Sequence, residues 1–237
     1  MLVTIRGALA VTVLIAIGAC GGEWHPPPLE SLQPLGAATC AATGATVRIQ
    51  LFGDSTQAGS IGYEMAAKTP AVWLQADMDA LFGAGKVAVD DRAASSTTSS
   101  QLLYGTDGRN SPWPQSVAAE IVVINHGIND AGHGVGIADY KTLLAMLIDA
   151  SPALVVLETP NPTSRSYIGE FVQAMREVAA ERGAPLADTY AYMSGLPGGG
   201  TDYLSDWAHP TEELYGHIVR YSLVPTLTPL VRARLCR

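Results

Sequence analysis

The fold of this chain is decided by one stretch of sequence, Ile121-Val122-Val123-Ile124-Asn125-His126-Gly127-Ile128-Asn129-Asp130. It opens with an apolar, β-branched run, which is typical of a central parallel strand covered by helices on both faces. Polar residues and a glycine follow directly after this run. Because active sites of open α/β sheets lie beyond the carboxyl ends of the strands, chemistry is expected in polar segments of this kind.

Strands and helices alternate on both sides of this stretch. The predicted strands are 47–52, 86–89, 121–124, 154–157 and 184–187, and the predicted helices are 60–82, 137–150, 167–182 and 211–223. This alternation predicts an α/β fold in which a mainly parallel five-stranded sheet lies between two layers of helices. We therefore expect a three-layer α/β/α sandwich formed by residues 46–237.

Composition excludes several classes of protein. The chain of 237 residues has 14 Lys and Arg against 22 Asp and Glu, for a net charge of −8. This acidic balance argues against nucleic acid as a partner, since phosphate binding requires a basic surface. A hydrophobic fraction of 48% with 15% charged residues excludes a disordered chain, and the sequence shows no repeat period.

The N-terminus predicts export and lipidation. Residues 1–19 combine a short basic start with an apolar run that is too short for a bilayer core of about 30 Å, the pattern of a signal peptide. The run ends in Ile17-Gly18-Ala19-Cys20, which resembles a bacterial lipobox. This resemblance implies that Cys20 becomes the lipidated first residue of the mature protein. The alternative is an ordinary signal peptide that is cut near Ala19 and leaves Cys20 unmodified.

Residues 20–45 are predicted to form a tether between the lipid anchor and the folded domain. The segment contains Pro26-Pro27-Pro28, Pro34 and many small residues, a composition that suits a semi-extended linker better than a packed element. We therefore expect an exported lipoprotein of the cell envelope. Gly21 follows the cysteine, and by the sorting rule of Gram-negative lipoproteins it favours the outer membrane, on its periplasmic side.

Polar residues in three segments suggest a catalytic site. Gly53-Asp54-Ser55 follows the first predicted strand and places a hydroxyl where a helix begins, in a field that favours developing negative charge. Asn129 offers an amide that can donate to an oxyanion. Asp206 stands three residues before His209, so its carboxylate can hold one ring nitrogen and leave the other as a base. Each segment alone is also compatible with turn and capping chemistry.

Taken together and in this order, the three segments resemble the SGNH (GDSL) hydrolase superfamily. The resemblance covers the chain from about residue 46 to its end and implies a flavodoxin-like fold. It also implies that Ser55 is the nucleophile, that His209 acts as general base and then as general acid, and that Asp206 orients His209.

The same resemblance implies an oxyanion hole formed by the Asn129 amide and by the backbone N–H of Ser55. A further N–H comes, in the family, from a glycine after the second strand. The corresponding segment here, 92–98, contains no glycine, and we assign this donor to Ser96. No metal or organic cofactor is expected. The histidines lack the spacing of a zinc site, and His126 is predicted to be a packed residue or one that supports the site from behind.

These roles imply a serine ester hydrolase that works through an acyl-enzyme. Its candidate substrates are small or short-chain acyl esters, with acetylated glycans, lysophospholipids and thioesters as further possibilities. The alternative function is that of a surface-anchored binding lipoprotein that retains the fold without significant turnover. The retained residues Ser55, Asn129, Asp206 and His209 weigh against that alternative.

Two cysteines remain once Cys20 is lipidated, namely Cys40 and Cys236. Export permits disulfide formation. Cys40 stands just before the first predicted strand and Cys236 just past the last predicted helix, and these two ends can approach one another in this architecture. We predict a disulfide between them, and the alternative is a pair of free thiols.

Overall fold

The computed structural model describes residues 46–164 and 168–236. Cys20, Cys40, the signal peptide (1–19) and the tether (20–45) lie outside the described residues, so the predictions made for them stay predictions. In chain order the described strands are β1 (Val47–Gly53), β2 (Ser60–Ile61), β3 (Glu64–Met65), β4 (Val87–Asp91), β5 (Ile121–Asn125), β6 (Leu154–Glu158) and β7 (Leu186–Ala187).

Helices connect these strands and cover the sheet. They are α1 (Ser55–Ala58), α2 (Pro70–Phe82), α3 (Ser99–Tyr104), α4 (Ile128–Gly132), α5 (Ile137–Asp149), α6 (Ile168–Arg182), α7 (Thr189–Ser194), α8 (Glu212–Ile218) and α9 (Val224–Leu235). A 3-10 helix at Pro197–Tyr203 and a π-helical segment at Val219–Leu223 complete the set in the described part of the chain.

The central sheet has five parallel strands, in agreement with the predicted mainly parallel five-stranded sheet, and their order is β4-β1-β5-β6-β7. β1 pairs with β4 on one side and with β5 on the other. Their register aligns Gly53 with Asn125, so β1 and β5 end at the same level. The segments that follow these two strands therefore leave the sheet side by side. The strands β2 and β3 form a separate antiparallel hairpin.

The side chains of β5 show why the sheet carries helices on both faces. Val122 and Ile124 pack with residues of α3, α5 and α6 on one face. Ile121 and Val123 pack with residues of α2 and α9 on the other. All four are fully buried, and burying each such side chain contributes about 1.5 to 3 kcal/mol. The predicted three-layer α/β/α sandwich is confirmed.

The prediction of one helix over 60–82 is wrong in its first part. Gly59 ends α1 in the left-handed conformation, with φ +89°. The chain then forms the β2–β3 hairpin, whose turn contains Gly62 at φ +63°. Helix α2 begins only at Pro70, with Thr69 as its N-cap. A proline in the first helical turn, preceded by a threonine, is a helix start signal. The apolar residues upstream of this signal fit a helical spacing but do not belong to the helix.

The closing helix predicted at 211–223 extends further than expected. The elements α8, the π-helical segment and α9 follow one another without an intervening loop. In the sequence, Pro225 and Pro229 argue against a helix at these positions. However, Pro225 lies in the first turn of α9, where a missing backbone N–H costs little. Leu227 of α9 is fully buried against the sheet, and such packing outweighs the low helix propensity of the prolines.

Candidate active site

Ser55 is the first residue of α1 and follows β1 directly after the capping residue Asp54. Oδ1 of Asp54 accepts hydrogen bonds from the backbone N–H and the hydroxyl of Thr56, both at 2.9 Å. Gly53 is required by close packing, since a Cβ atom there would lie 2.5 Å from the carbonyl oxygen of Asn125. The motif therefore fixes the Ser55 hydroxyl at the carboxyl edge of the sheet.

Ser55, His209 and Asp206 form a continuous chain of hydrogen bonds. Ser55 Oγ lies 2.8 Å from Nε2 of His209, and Nδ1 of His209 lies 2.7 Å from Oδ2 of Asp206. Because the carboxylate of Asp206 can only accept, Nδ1 carries the hydrogen and Nε2 is left to take the hydroxyl proton. The His209 and Asp206 side chains are 14% and 29% exposed, so the pair faces solvent on one side.

Asp206 is held by its own turn. Its Oδ1 accepts hydrogen bonds from the backbone N–H groups of Ala208 and His209, both at 2.8 Å. Partial burial by itself raises the pKa of the Asp206 carboxyl, but the hydrogen bonds from Ala208 and His209 outweigh burial and lower that pKa below its ordinary value. Asp206 is therefore ionised when it orients the imidazole.

Ser96 lies in the loop after β4 and has an unusual backbone conformation. Its φ of +63° lies in the left-handed region, and no other non-glycine residue of the described ranges has a positive φ. The loop is held by the Ala94 N–H, which donates to the carbonyl of Gly53 at 2.9 Å, and by the Thr97 hydroxyl, which donates to the carbonyl of Ala94 at 2.6 Å. Ser96 thus adopts a backbone conformation that a glycine would adopt without strain.

Asn129 lies on α4, the short helix that follows β5. The turn into this helix requires Gly127, which has φ +148° and whose added Cβ would lie 2.6 Å from Cγ of Pro160. Nδ2 of Asn129 is buried and has no hydrogen-bond partner among the described residues. Because an unpaired buried donor is costly, such an amide is typical of a group that is satisfied only by a ligand or a reaction intermediate.

An open cleft of about 630 Å³ lies over the nucleophile. One wall is the β2–β3 hairpin, where Tyr63 is fully exposed. Trp207, which is 39% exposed, lines the cleft beside His209. Side chains that carry hydroxyl groups make up much of the remaining lining, namely Ser55, Ser60, Ser95, Ser96 and Ser205. The cleft lining therefore combines hydroxyl groups with two exposed aromatic rings.

A cluster of buried polar side chains lies close to Ser55 and Asn129 in the sequence. Asp54, His126 and Asp130 are each at most 1% exposed, in agreement with the prediction that His126 is packed. Burial raises the pKa of Asp54 and lowers that of His126, although the attraction between the two charged forms opposes both shifts. Asp130 accepts hydrogen bonds from the backbone N–H and the hydroxyl of Ser99.

Sequence reasoning missed the Asp130–Ser99 contact and the buried Glu158. Glu158 ends β6, is 2% exposed, and accepts a hydrogen bond from the Thr189 hydroxyl at 2.8 Å. Burial raises its pKa to about 7. The signals in the sequence were slight: an aspartate next to Asn129, and a carboxylate at the end of an apolar strand.

Within 46–164 and 168–236, no three His, Cys, Asp or Glu side chains are grouped so that they could hold a metal ion. No helix of these ranges is long and apolar enough to span a bilayer. Cys236 is disulfide-bonded, and its partner lies outside the described residues, so the pairing with Cys40 stays a prediction.

Comparison with known proteins identifies relatives of the chain. A model of the GDSL-like lipase/acylhydrolase family matches residues 51–216. This match includes the positions of Ser55, Ser96, Asn129, Asp206 and His209. No curated protein sequence matches the chain.

Solved structures show the same fold. A lipase/acylhydrolase from Enterococcus faecalis is 26% identical, with a TM-score of 0.62, over 74% of this chain and 94% of that one. A member of the lipolytic G-D-S-L family from Veillonella parvula is 15% identical, with a TM-score of 0.63, over 77% of this chain and 99% of that one. An acetyl xylan esterase variant from Geobacillus stearothermophilus is 14% identical, with a TM-score of 0.61, over 76% and 94%.

Proposed function

Because the chain belongs to the GDSL-like lipase/acylhydrolase family and is a carboxylic ester hydrolase, we propose that it cleaves esters of small acyl groups through an acyl-enzyme on Ser55. The observation that carries this proposal is the hydrogen-bonded chain from Ser55 Oγ through the His209 ring to Asp206, with distances of 2.8 and 2.7 Å. These are the contacts that an activated serine nucleophile requires.

In the first half of the reaction, His209 Nε2 takes the hydroxyl proton while Ser55 Oγ attacks the acyl carbon. The carbonyl oxygen becomes an oxyanion, and its proposed donors are the backbone N–H groups of Ser55 and Ser96 and Nδ2 of Asn129. Each such donor is worth about 3 kcal/mol in the transition state. The intermediate collapses when the imidazolium of His209 protonates the departing alcohol, which leaves the acyl group on Ser55.

In the second half, water replaces the alcohol. His209 deprotonates the water, the resulting hydroxide attacks the acyl carbon, and the same donors bind the second oxyanion. Collapse of this intermediate returns the proton from His209 to Ser55 and releases the carboxylic acid. Asp206 stays ionised throughout and stabilises the imidazolium in each half-reaction.

The open cleft over Ser55 leaves room for the alcohol part of an ester. The opening over Ser55 is wide, and its walls carry hydroxyl groups and the exposed ring of Tyr63. Short-chain esters and acetylated glycans suit this lining, and lysophospholipids and thioesters are the remaining candidates. The binding-protein alternative is not favoured, because family membership and the Ser55–His209 contact both support turnover.

For the cell envelope, we propose that residues 1–19 are removed and that lipidated Cys20 anchors the enzyme through the 20–45 tether. The lipobox-like sequence before Cys20 supports this proposal. Wild-type protein produced in a bacterium is expected in the membrane fraction, and Cys20→Ser is expected to be released or to stay unprocessed. Mass spectrometry of an unmodified mature N-terminus would contradict the proposal.

Hydrolysis of p-nitrophenyl esters tests the proposed mechanism. The full chain should hydrolyse p-nitrophenyl acetate, and Ser55→Ala should lower kcat/KM by a factor on the order of 10⁴ without changing the melting temperature. Ser95→Ala is the matched control, since this serine lines the same cleft, and we expect a change of less than about threefold. An active, folded Ser55→Ala variant would remove Ser55 from the role of nucleophile.

A further inference from the structure

The oxyanion donors proposed outside α1 lie on separate segments of the chain. The Ser96 N–H belongs to the loop after β4, whereas Asn129 Nδ2 belongs to α4 after β5. In the sheet, β4 and β5 lie on opposite sides of β1 and do not pair with each other. The hydrogen bonds of the sheet therefore do not directly set the distance between these donors. Contacts beyond the sheet edge must set it.

One buried contact joins the two segments. Asp130, the residue after Asn129, accepts the Ser99 N–H at 3.2 Å on each carboxylate oxygen and the Ser99 hydroxyl at 2.5 Å. Both side chains are completely buried. Ser99 is the first residue of α3 and stands three positions after Ser96. The carboxylate thus binds the far end of the loop that presents the Ser96 N–H.

The near end of the same loop is attached elsewhere. The Ala94 N–H donates to the carbonyl of Gly53, two residues before Ser55. A contact between the Thr97 hydroxyl and Nε2 of His126 is longer, at 3.4 Å, and correspondingly weak. The loop that contains Ser96 is therefore hydrogen-bonded to β1 on one side of Ser96 and to α4, the helix of Asn129, on the other side.

We propose that Asp130 is a positioning residue for the oxyanion hole. Through Ser99, its carboxylate holds the Ser96 turn at the distance from α4 at which the Ser96 N–H and Asn129 Nδ2 converge on one oxygen atom. A carboxylate suits this task because hydrogen bonds to a charged acceptor are about twice as strong as neutral ones. Precise spacing matters because donors stabilise an oxyanion only when they are already in place. The inference rests on the proposed function, in which these two groups are donors.

Two variants of the full chain test the contact from both sides. Asp130→Asn keeps the shape and removes the charge, and Ser99→Ala removes the hydroxyl donor. Gln101→Ala is the matched control: Gln101 Oε1 caps the same end of α3 by accepting the Thr98 N–H at 3.0 Å and has no hydrogen bond with Asp130. The substrate is p-nitrophenyl acetate, and the inhibitor is phenyl trifluoromethyl ketone, whose adduct with a serine resembles the tetrahedral intermediate.

We expect kcat of Asp130→Asn to fall about tenfold to hundredfold and KM to change by less than about threefold. The affinity for the ketone should fall by a factor similar to that of kcat, and Ser99→Ala should show the same pattern more weakly. Gln101→Ala should change neither quantity by more than about twofold. An irreversibly unfolded fraction would lower the apparent kcat and leave the inhibition constant unchanged, whereas reversible unfolding would raise KM and the inhibition constant by the same factor. A weaker ketone together with an unchanged KM therefore separates positioning from stability.

The possible outcomes separate a failure of the proposed function from a failure of the positioning role of Asp130. If the wild-type chain neither hydrolyses the ester nor binds the ketone, the proposed function fails and the inference fails with it. If the wild type is active but both variants bind the ketone as it does, the positioning role alone is wrong. Should Asp130→Asn fail to fold, Ser99→Ala decides the question by the same two measurements.

Discussion

Two combinations of histidine and carboxylate stand close to the nucleophile in this molecule, and they differ in exposure. His209 and Asp206 are 14% and 29% exposed in their side chains and share a hydrogen bond of 2.7 Å. His126, Asp54 and Asp130 are each at most 1% exposed. The same residue types therefore occur in a solvent-facing pair and in a buried cluster.

Burial therefore determines whether a histidine and a carboxylate of this molecule face solvent and a substrate or only pack inside it. Hydrogen bonds from Ala208 and His209 outweigh the burial of Asp206 and lower the pKa of its carboxyl, so this pair keeps an ionised carboxylate beside the His209 ring. Burial raises the pKa of the Asp54 carboxyl and lowers the pKa of the His126 ring, which disfavours the charged form of each group. The proposed mechanism uses the Asp206–His209 pair for proton transfer, whereas Asp54 and Asp130 of the buried cluster accept hydrogen bonds from the segments that carry Ser55 and Ser96.

The largest expected effect comes from removing each imidazole in turn. His209→Ala should lower kcat/KM by a factor on the order of 10⁴, because no other base contacts Ser55 Oγ among the described residues, and it should leave stability nearly unchanged. His126→Ala should do the opposite, with a loss of about 2 to 4 kcal/mol in unfolding free energy and a change in activity per folded molecule of less than about tenfold. Ester hydrolysis and urea denaturation of both variants measure the contrast. Equal losses of activity in the two variants would contradict the different roles given to His209 and His126.

A second prediction concerns the orientation of the exposed ring. In Asp206→Asn, the amide oxygen should replace Oδ1 as acceptor for the N–H groups of Ala208 and His209, which turns the NH₂ group toward His209 Nδ1. Nδ1 must then accept, Nε2 carries the hydrogen, and the ring can no longer take the Ser55 proton. We expect kcat to fall about 10³-fold, at least as much as in Asp206→Ala. An asparagine variant ten times more active than the alanine variant would contradict this account.

The sheet was predictable from the sequence, and so were Ser55, Asp206 and His209 as candidate site residues, because their signals are local. The run 121–124 marks a central strand by itself, and Gly53-Asp54-Ser55 and Asp206-x-x-His209 are short motifs with fixed internal spacing. The contact between Ser99 and Asp130 was not predictable, since it joins residues 31 positions apart and depends on the tertiary fold. The β2–β3 hairpin was missed for a different reason, namely that its apolar residues also fit a helical period.

A third prediction concerns Glu158, a buried carboxyl whose pKa in the folded state is about 7, against an ordinary value of 4.5. The folded state therefore binds this proton more tightly than the unfolded state. The stabilisation that comes from this tighter proton binding is fully present below pH 4.5 and is lost as the pH rises through 7. Glu158→Gln imitates the protonated form. The unfolding free energy of this variant minus that of the wild type should therefore increase by on the order of 3 kcal/mol when the pH is raised from 4.5 to 8.

Urea denaturation at these two pH values measures the effect at Glu158. Glu170→Gln, which changes an exposed carboxyl on α6, is the matched control and should show no comparable change between them. Parallel pH profiles for wild type and Glu158→Gln would show that this buried carboxyl does not titrate as its burial implies.

The smallest expected effect lies in the strained turn at Ser96, which faces the cleft and whose φ is +63°. In the left-handed region a serine costs about 1 to 2 kcal/mol, and a glycine avoids this cost but loses more entropy on folding. Ser96→Gly should therefore stabilise the protein by about 0.5 to 1 kcal/mol, while Ser96→Ala should leave stability nearly unchanged. Both variants keep the backbone N–H that is proposed to bind the oxyanion, so kcat for p-nitrophenyl acetate should stay within about threefold of wild type. A large loss of kcat in both variants would mean that the Ser96 hydroxyl, rather than its N–H, acts on the substrate.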